Sequence, residues 1–554
     1  MNPFDHHKYR PAASVAIENR AWPNRVIEKA PRWVSVDLRD GNQALIEPMN
    51  MHKKQQMWGL LVNMGFKEIE VGFPSASQAD YDFVRWLIDE AQIPEDVTVQ
   101  VLMPAREDLI KRSFEALSGV QRAIMHVYNS VSPVQRERVF KLGREGITAI
   151  ARHGAEWVKR EAAKYPDTEW VFEYSPESFS STEIDYAVEV CEAVLDVWQP
   201  GADQACIINL PGTVEISTPN LFADQVEYFS THIKWRDHIT LSVHTHNDRG
   251  GAVASSELAL LAGAERVEGT LFGNGERTGN MDVITMAMNL YSQGIDPELD
   301  LSNSEEMMRI YSASTGLTVP PRHPWFGEMV YTAFSGSHQD AIRKCLHQQQ
   351  QDEAWQVAYL PIDPRDIGRD YEAVIRVNSQ SGKGGVAFLL ERDYGIVLPR
   401  WLQVEMAQVV QRESDNSGGE IDSAGIYKLF EKHYIHDTSV MRSHCHQLQD
   451  YQLQRNGAAH IVDMHLKHGN ETVTLNGSGE GGIAAFVDAW QRYSGQNVQV
   501  IHYDEHAIGR GTDAKAVAFV RMSVDGEHIS GAAIDADSVT VSFKAIISAF
   551  NHLR

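Results

Sequence analysis

Two histidines set two residues apart, in Val243-His244-Thr245-His246-Asn247-Asp248, carry the first chemistry legible in this chain. The run is β-prone, and on a strand residues i and i+2 share a face, so both imidazoles can meet one cation. A polar strand end accounts for such a pair equally well, since a lone histidine is more often structural. A stretch far earlier in the chain shifts the balance. There Trp33-Val34-Ser35-Val36-Asp37-Leu38 reads as a strand and breaks into Arg39-Asp40-Gly41-Asn42-Gln43, a mixture that continues neither strand nor helix. An Arg beside an Asp at a strand end is either an ion pair at a turn or a device that binds an anionic oxygen and a cation side by side. Asp40 with His244 and His246 offers two nitrogens and a hard oxygen, a donor set suited to a divalent ion with positions left for a bidentate ligand. In Gly273-Asn274-Gly275-Glu276-Arg277-Thr278-Gly279-Asn280 the glycines allow unusual backbone geometry, and Asn280 can add an amide oxygen or orient a neighbour. No Gly-Lys-Ser/Thr follows, so this is not a Walker-type phosphate loop.

The elements that must hold these residues read as a repeating pattern. Short β-branched runs at 33–38, 68–72, 97–102, 122–127, 169–174, 205–209, 240–245 and 266–271 alternate with amphipathic stretches such as 52–64, 79–91, 182–198, 221–233 and 252–262. Eight strand–helix units of this size predict an α/β fold, a TIM (β/α)8 barrel. An open doubly wound sheet competes, but no glycine-rich dinucleotide turn follows the first strand. In a barrel the chemistry sits at the C-terminal ends of the strands. The polar residues there are Arg39 and Asp40, His126 and Tyr128, Glu173, Ser175 and Glu177, Asn209 and Thr213, then His244 and His246.

At 554 residues the chain exceeds what one core organises. The segments predicted are an extension over 1–30, the barrel over 31–327, a helical linker region over 328–445 and an α+β domain over 446–554. Helices are expected over 329–347 and 401–413, with a polar connector at 414–420. The last segment reads as two copies of strands followed by a helix, offset by about 55 residues. Gly477-Ser478-Gly479-Glu480-Gly481-Gly482, before the first of those helices, is either a tight turn or a place where backbone N–H groups take an anion.

Fifty basic against 75 acidic residues, a formal charge of -25, argue against nucleic acid as a partner, while a local basic pocket for an acidic metabolite stays compatible. No apolar run reaches membrane-spanning length, so no membrane partner is expected. Cys191, Cys206, Cys345 and Cys445 lack pairing or zinc-type spacing, and the N-terminal residues look like neither a secretory nor a transit segment. These features predict a reduced, cytoplasmic setting.

The segments Leu38-Arg39-Asp40-Gly41-Asn42-Gln43, His244-Thr245-His246-Asn247-Asp248 and Gly273 to Asn280 together resemble the 2-isopropylmalate synthase and homocitrate synthase family of acyl-CoA condensing enzymes. Arg322-His323-Pro324, the run Tyr331 to Asp340 and the run Asn378 to Gly385 extend the resemblance over nearly the whole chain. It implies that Asp40, His244 and His246 bind a divalent metal, Mg2+ ahead of Mn2+ or Zn2+, with K+ as an activator and Asn280 completing or supporting the site. It puts Arg39 beside a keto oxygen and Leu102, His126, Tyr128, Ser175, Pro211 and Thr213 around a 2-oxo acid. Glu177 lines that pocket too. His338 and Tyr371 reach the acetyl-CoA side, and the candidates for proton transfer are His338, paired with a carboxylate such as Glu177, or Tyr371, unranked.

The implied reaction is condensation of acetyl-CoA with 2-oxoisovalerate and water to give 2-isopropylmalate and CoA, the first committed step of leucine synthesis. A homocitrate-type pocket would need a cationic group, whereas Leu102 and Pro211 suit a branched alkyl end. Also implied are a homodimer, with helices from one subunit over the partner's barrel, and leucine as an effector of the C-terminal domain. Gly479, Gly481, Ala484, Ala485, Asp488, Tyr503 and His506 are its candidate residues. This chain has Gly479-Glu480-Gly481-Gly482 where many relatives have Gly-Asn-Gly-Pro. The alternatives are another 2-oxo acid synthase of homocitrate or citramalate type, an acyl-CoA lyase or a carboxyltransferase on the same barrel, and a catalytically silent leucine sensor.

Overall fold

A computed structural model describes residues 12–202, 204–350, 353–369, 383–417, 421–435, 445–469, 471–509, 511 and 514–552. Tyr371, Asn378 to Gly382 and the end of the expected connector, 418–420, lie outside the described residues. The chain divides into two compact units, Met1–Val330 with Arg365–Arg369, and Tyr331–Pro364 with Asp370–Arg554.

The first unit is a closed eight-stranded parallel barrel in sequential order. Its strands are β1 (Arg32–Ser35), β2 (Glu68–Gly72), β3 (Thr98–Pro104), β4 (Arg122–Ser130), β5 (Glu169–Glu177), β6 (Cys206–Gly212), β7 (Thr240–Thr245) and β8 (Arg266–Gly269). Closure is made by β8 against β1, from Arg32 opposite Arg266 to Ser35 opposite Gly269. The intervening helices are α1 (Met51–Met64), α2 (Gln78–Asp89), α3 (Glu107–Ala116), α4 (Arg144–Ala162), α5 (Ile184–Trp198), α6 (Pro219–His232), α7 (Ala252–Ala262) and α8 (Val283–Tyr291), followed by α9 (Ser304–Thr315). Side chains of Asn50, Ser77 and Asp282 accept backbone N–H groups at the starts of α1, α2 and α8, which fixes where those helices begin.

The apolar core of this unit lies between strands and helices, with Met57, Leu61, Phe83, Phe114, Val158, Leu195 and Phe229 buried there. The barrel interior is polar instead. Arg266, fully buried, donates to Glu68 (2.6 Å), Glu173 (3.1 Å), Glu268 (2.9 Å), Ser242 (2.9 Å) and Gln100 (2.6 Å). The period of two explains the split. In Glu68-Ile69-Glu70-Val71 the glutamates turn into the barrel and the branched residues into the helix layer. Such buried charges are tolerable only because each meets an opposite charge or a hydrogen bond.

The first strand is shorter than the sequence predicts. It ends at Ser35, and Asp37–Gly41 forms a single π-helical turn that carries Arg39 and Asp40; such turns concentrate at functional sites. Asp37 anchors it by accepting from Ser35 Oγ (2.8 Å) and from the N–H of Leu271 (3.1 Å). Burial pushes the Asp37 carboxyl up from 3.8 to about 7, against its hydrogen bonds. The folded state therefore holds a proton between those values that the unfolded chain has lost. Stability is complete below pH 3.8 and is lost as pH rises to about 7, by up to roughly 4 kcal/mol from this group. Asp37→Asn is expected to remove that part of the decline in denaturant midpoint between pH 4 and 8. Parallel profiles for variant and parent would refute it.

The second unit opens with α10 (Gly336–Gln348), α11 (Lys383–Tyr394), α12 (Arg400–Ser417) and α13 (Ser423–Tyr434). Residues 329–335, expected as helix, are not helical. Ser335 is extended (φ -74°, ψ 129°), and Gln339 Nε2 donates to the carbonyl of Ala333 (2.7 Å), holding the preceding chain away from the helix axis. In the opposite sense, α12 runs on through Ser417 where a connector was expected from 414; Ser414 is buried on it, which a polar loop would not provide.

Two copies of a three-strand and one-helix element follow: β9 (His446–Asn456), β10 (Ala459–His468), β11 (Glu471–Gly479) and α14 (Gly482–Ser494), then β12 (Val498–Ile508), β13 (Lys515–Val524), β14 (Glu527–Asp535) and α15 (Ser538–Asn551). Strand β9 was not foreseen. The sheet orders are β11-β10-β9 and β12-β13-β14. In each copy the third strand brings a glycine against its helix. A Cβ on Gly477 would lie 2.3 Å from the Ala485 carbonyl oxygen, and one on Gly531 would lie 2.4 Å from the Ala549 nitrogen. One core joins the copies through Phe486, Trp490, Phe543 and Phe550. Another packs Leu390, Met406 and Phe430 of the linker helices on Val517, Phe519 and Ala532.

Candidate active site

The C-terminal rim of the barrel encloses a cavity of about 260 Å³. Arg39, Asp40, His244 and His246 line it, as do Leu102, His126, Tyr128, Ser175, Glu177, Asn209, Pro211 and Thr213. Two of the barrel residues expected from the sequence do not reach it: Asn280 stands just behind Asp40, and Glu173 is fully buried below the rim, where it pairs with Arg266.

Asp40, His244 and His246 present ligand atoms within 4.8 Å of one another, all buried. Asp40 Oδ2 lies 3.8 Å from His244 Nε2 and 3.9 Å from His246 Nε2. Burial alone would raise the Asp40 carboxyl, but Arg39 and then the two imidazoles outweigh it and hold it at about 2. Burial, then His244, pushes His246 down to about 4, which keeps a lone pair free on that ring. His246 Nδ1 and Asn280 Oδ1 are buried without a hydrogen-bond partner. An ionised carboxylate and two imidazoles converging with orphaned polar atoms beside them fit a divalent cation. Asn280 contributes from behind: its Nδ2 donates to Asp40 Oδ2 (2.7 Å) and to the Asn274 carbonyl (2.9 Å), so it orients the carboxylate. The loop reaches that position only through Gly279, at φ +99°, where a Cβ would lie 1.9 Å from the Gly273 carbonyl oxygen.

Arg39 stands beside this cluster with Nη1 on Asp40 Oδ1 (2.6 Å) and Nε on Glu70. Burial opposes its charge, but Glu70 and Asp40 more than compensate and raise its pKa, so it is a permanent cation at the cavity wall. Glu70 also accepts from His126 Nδ1 (3.0 Å), which leaves His126 Nε2 to Ser175 Oγ (2.7 Å). Glu177 accepts from Ser130 Oγ. Leu102, Phe73 and Pro211 supply the apolar wall.

Sequence reading did not single out Glu70, Glu268, Gln100, Gln43 or Phe73. Glutamates alternating with apolar residues on β2 and β8 were the available signal, since a strand buried on both sides has no solvent face to put them on.

The remaining expected residues belong to the second unit. His338 lies on α10, stacked on the Tyr359 ring (3.9 Å between centroids). Gly479 ends β11, Gly481 precedes α14, and a Cβ on Gly479 would fall 2.7 Å from Ala484 and Ala485 backbone atoms. Asp488 accepts from the Ser478 N–H (2.8 Å), so these five residues share one helix start. Tyr503 and His506 sit on β12 of the other sheet. Tyr503 contacts Ser542 Oγ (2.6 Å), and His506 Nε2 accepts from the Val397 N–H (3.1 Å), tying it to the linker.

Family models account for most of the chain. Residues 30–310 match the HMGL-like family, 328–391 the alpha-isopropylmalate synthase post-catalytic domain-like family, and 420–554 the LeuA allosteric (dimerisation) domain. Barrel and rim cluster together define a divalent-metal-dependent enzyme of the HMGL-like class. Over 554 residues the chain is 52% identical to a 2-isopropylmalate synthase of Alcanivorax borkumensis, covering 100% of this chain and 98% of that one. Over 553 residues it is 53% identical to that of Rhodospirillum rubrum, covering 99% and 98%. It belongs to the 2-isopropylmalate synthase family, the acyltransferases that make the precursor of leucine by condensation. No helix among the described residues is long and apolar enough to cross a membrane.

Proposed function

We propose that this chain condenses acetyl-CoA with 2-oxoisovalerate and water, giving 2-isopropylmalate and CoA, with its chemistry at the barrel rim and its control in the C-terminal domain. One observation carries the choice of 2-oxo acid. The cavity is lined by two guanidinium groups; Arg39 is shared between Asp40 and Glu70, and Arg277 is held by Asp248 (2.6 Å), so neither is free for a second substrate carboxylate. Leu102, Phe73 and Pro211 instead suit a branched alkyl end.

Asp40, His244 and His246 would hold a divalent ion, Mg2+ in preference to Mn2+ or Zn2+, which when bound would supply Lewis acidity toward the 2-oxo acid. Arg39 faces the keto oxygen and stabilises the negative charge that collects there as the new carbon–carbon bond forms at C2. His126, Ser175, Tyr128 and Thr213 hold the substrate's polar end. The methyl proton of acetyl-CoA passes to a base, His338 paired with a carboxylate such as Glu177, or Tyr371; the resulting enolate carbon attacks C2, its pair forming the new carbon–carbon bond as the keto π-bond opens, and the C2 oxygen takes up a proton to become the product hydroxyl. Water then cleaves the thioester, releasing CoA as the thiol. Asn280 supports Asp40 throughout.

The match to a dimerisation domain supports a homodimer. Leucine is its effector, bound through Gly479, Gly481, Ala484, Ala485 and Asp488 together with Tyr503 and His506, and K+ is an activator. The test is CoA thiol release with Mg2+ and K+, comparing 2-oxoisovalerate, 2-oxoglutarate and pyruvate with and without leucine. Expected are at least roughly tenfold higher kcat/KM for 2-oxoisovalerate and suppression by millimolar leucine. A preference for 2-oxoglutarate would overturn the substrate assignment. A rate and thermal stability indifferent to leucine would overturn the effector.

A further inference from the structure

Behind the rim cluster lies a carboxylate that does not line the rim cavity. Glu268, on β8, is fully buried, and its Oε2 lies 2.9 Å from His244 Nδ1. Arg266 Nη1 (2.9 Å) and Gln100 Nε2 (3.1 Å) donate to Oε1 and Asn209 Nδ2 (3.3 Å) to Oε2, and the neighbouring Glu173 carboxyl, which burial holds in its protonated form, is a further donor beside it. A carboxylate surrounded in this way can only accept, so the hydrogen between it and His244 resides on Nδ1. In the neutral ring that binds a metal the opposite nitrogen, Nε2, is then the one with the lone pair, and it is the one directed at Asp40. His246 has no such support, because its Nδ1 meets no partner. The two histidines thus differ in kind: one is locked in tautomer and orientation, the other is free to adjust.

We propose that Glu268 is the positioning residue of the metal centre, locking His244 with Nε2 toward the ion and setting how tightly a divalent cation is held. This rests on the reading of Asp40, His244 and His246 as metal ligands. Carboxylates behind metal-bound histidines raise ligand basicity and fix ring orientation. The competing role is structural, as a counter-ion for Arg266, which Glu68 and Glu173 also serve.

Mn2+ binding to the full-length metal-free protein, followed by calorimetry and by the Mn2+ electron spin resonance signal, separates the two roles. Glu268→Gln is expected to weaken Mn2+ roughly 10- to 100-fold, with the KM for the 2-oxo acid at saturating Mn2+ within about threefold of the parent if the keto-acid arm, held by Glu70, is intact. Glu268→Asp keeps the charge beside Arg266 but is one methylene shorter, and the same loss of affinity is expected; it carries the test if the glutamine variant does not fold. A folded variant whose Mn2+ dissociation constant stays within about threefold of the parent overturns the proposal. Nitrogen-15 NMR of the metal-free parent gives a further check: His244 should be a single Nδ1–H tautomer, and an Nε2–H tautomer overturns the proposal without any variant. Asp40→Asn is the control. If Mn2+ binds the parent and that variant equally, the metal site itself is misassigned.

Discussion

Asp40→Asn should lower kcat/KM by at least about a thousandfold, the largest effect of any single change at the rim, since a Lewis acid contributes several kcal/mol and each 1.36 kcal/mol is tenfold. The substitution keeps size and shape. It removes the only anionic donor of the three-residue cluster, the group that Arg39 and Asn280 hold in place from opposite sides. What remains is two imidazoles, with His246 pushed toward neutrality by burial. Metal content after dialysis should fall in parallel with turnover, while the melting temperature of the metal-free protein changes little. Full activity with undiminished metal content would remove Asp40 from the centre.

Arg39→Gln should cost about 10²- to 10³-fold in kcat, because a preorganised cation aimed at developing charge is worth that much in a buried site. The effect should fall on kcat more than on KM for the 2-oxo acid, since the keto oxygen gains most of its charge in the transition state. A rise in KM with kcat unchanged would make Arg39 a binding group only. Removing this guanidinium also leaves Glu70 and Asp40 facing each other without their shared counter-ion, and breaking a buried pair costs about 3–5 kcal/mol. Arg39→Lys therefore belongs beside it: charge is retained, but one ammonium cannot reproduce the fork between two carboxylates, so partial recovery of kcat with partial recovery of stability is expected.

Much of the site was legible before any fold was known. His244 and His246 could be paired because a strand fixes side-chain direction with a period of two, and Asp40 joined them because a closed barrel puts β1 next to β8 and close to β7. The errors were local. The strand at 33–38 stops at Ser35 because Asp37 is drawn to the backbone of Leu271, a partner remote in sequence. Residues 329–335 failed as helix for a similar reason, a side chain from the next turn holding their backbone. Strand β9 was missed because its outer positions are polar and exposed along most of its length, which hides the alternation.

The sequence by itself determined the strand–helix rhythm of the barrel and the family, since these follow from periodicity and from motifs whose chemistry is carried by residue identity. Only the tertiary structure decided that the barrel interior is a charged lattice built on Arg266, that Glu70 and Glu268 stand behind His126 and His244, and that Asn280 turns its amide nitrogen to Asp40. Most of those contacts join residues that only closure of the barrel brings together, such as Glu68 with Arg266 and Asp40 with Asn280. A glutamate on a strand has the same local preferences whether it meets water or an arginine at the centre of a barrel, and only closure of the sheet selects between them.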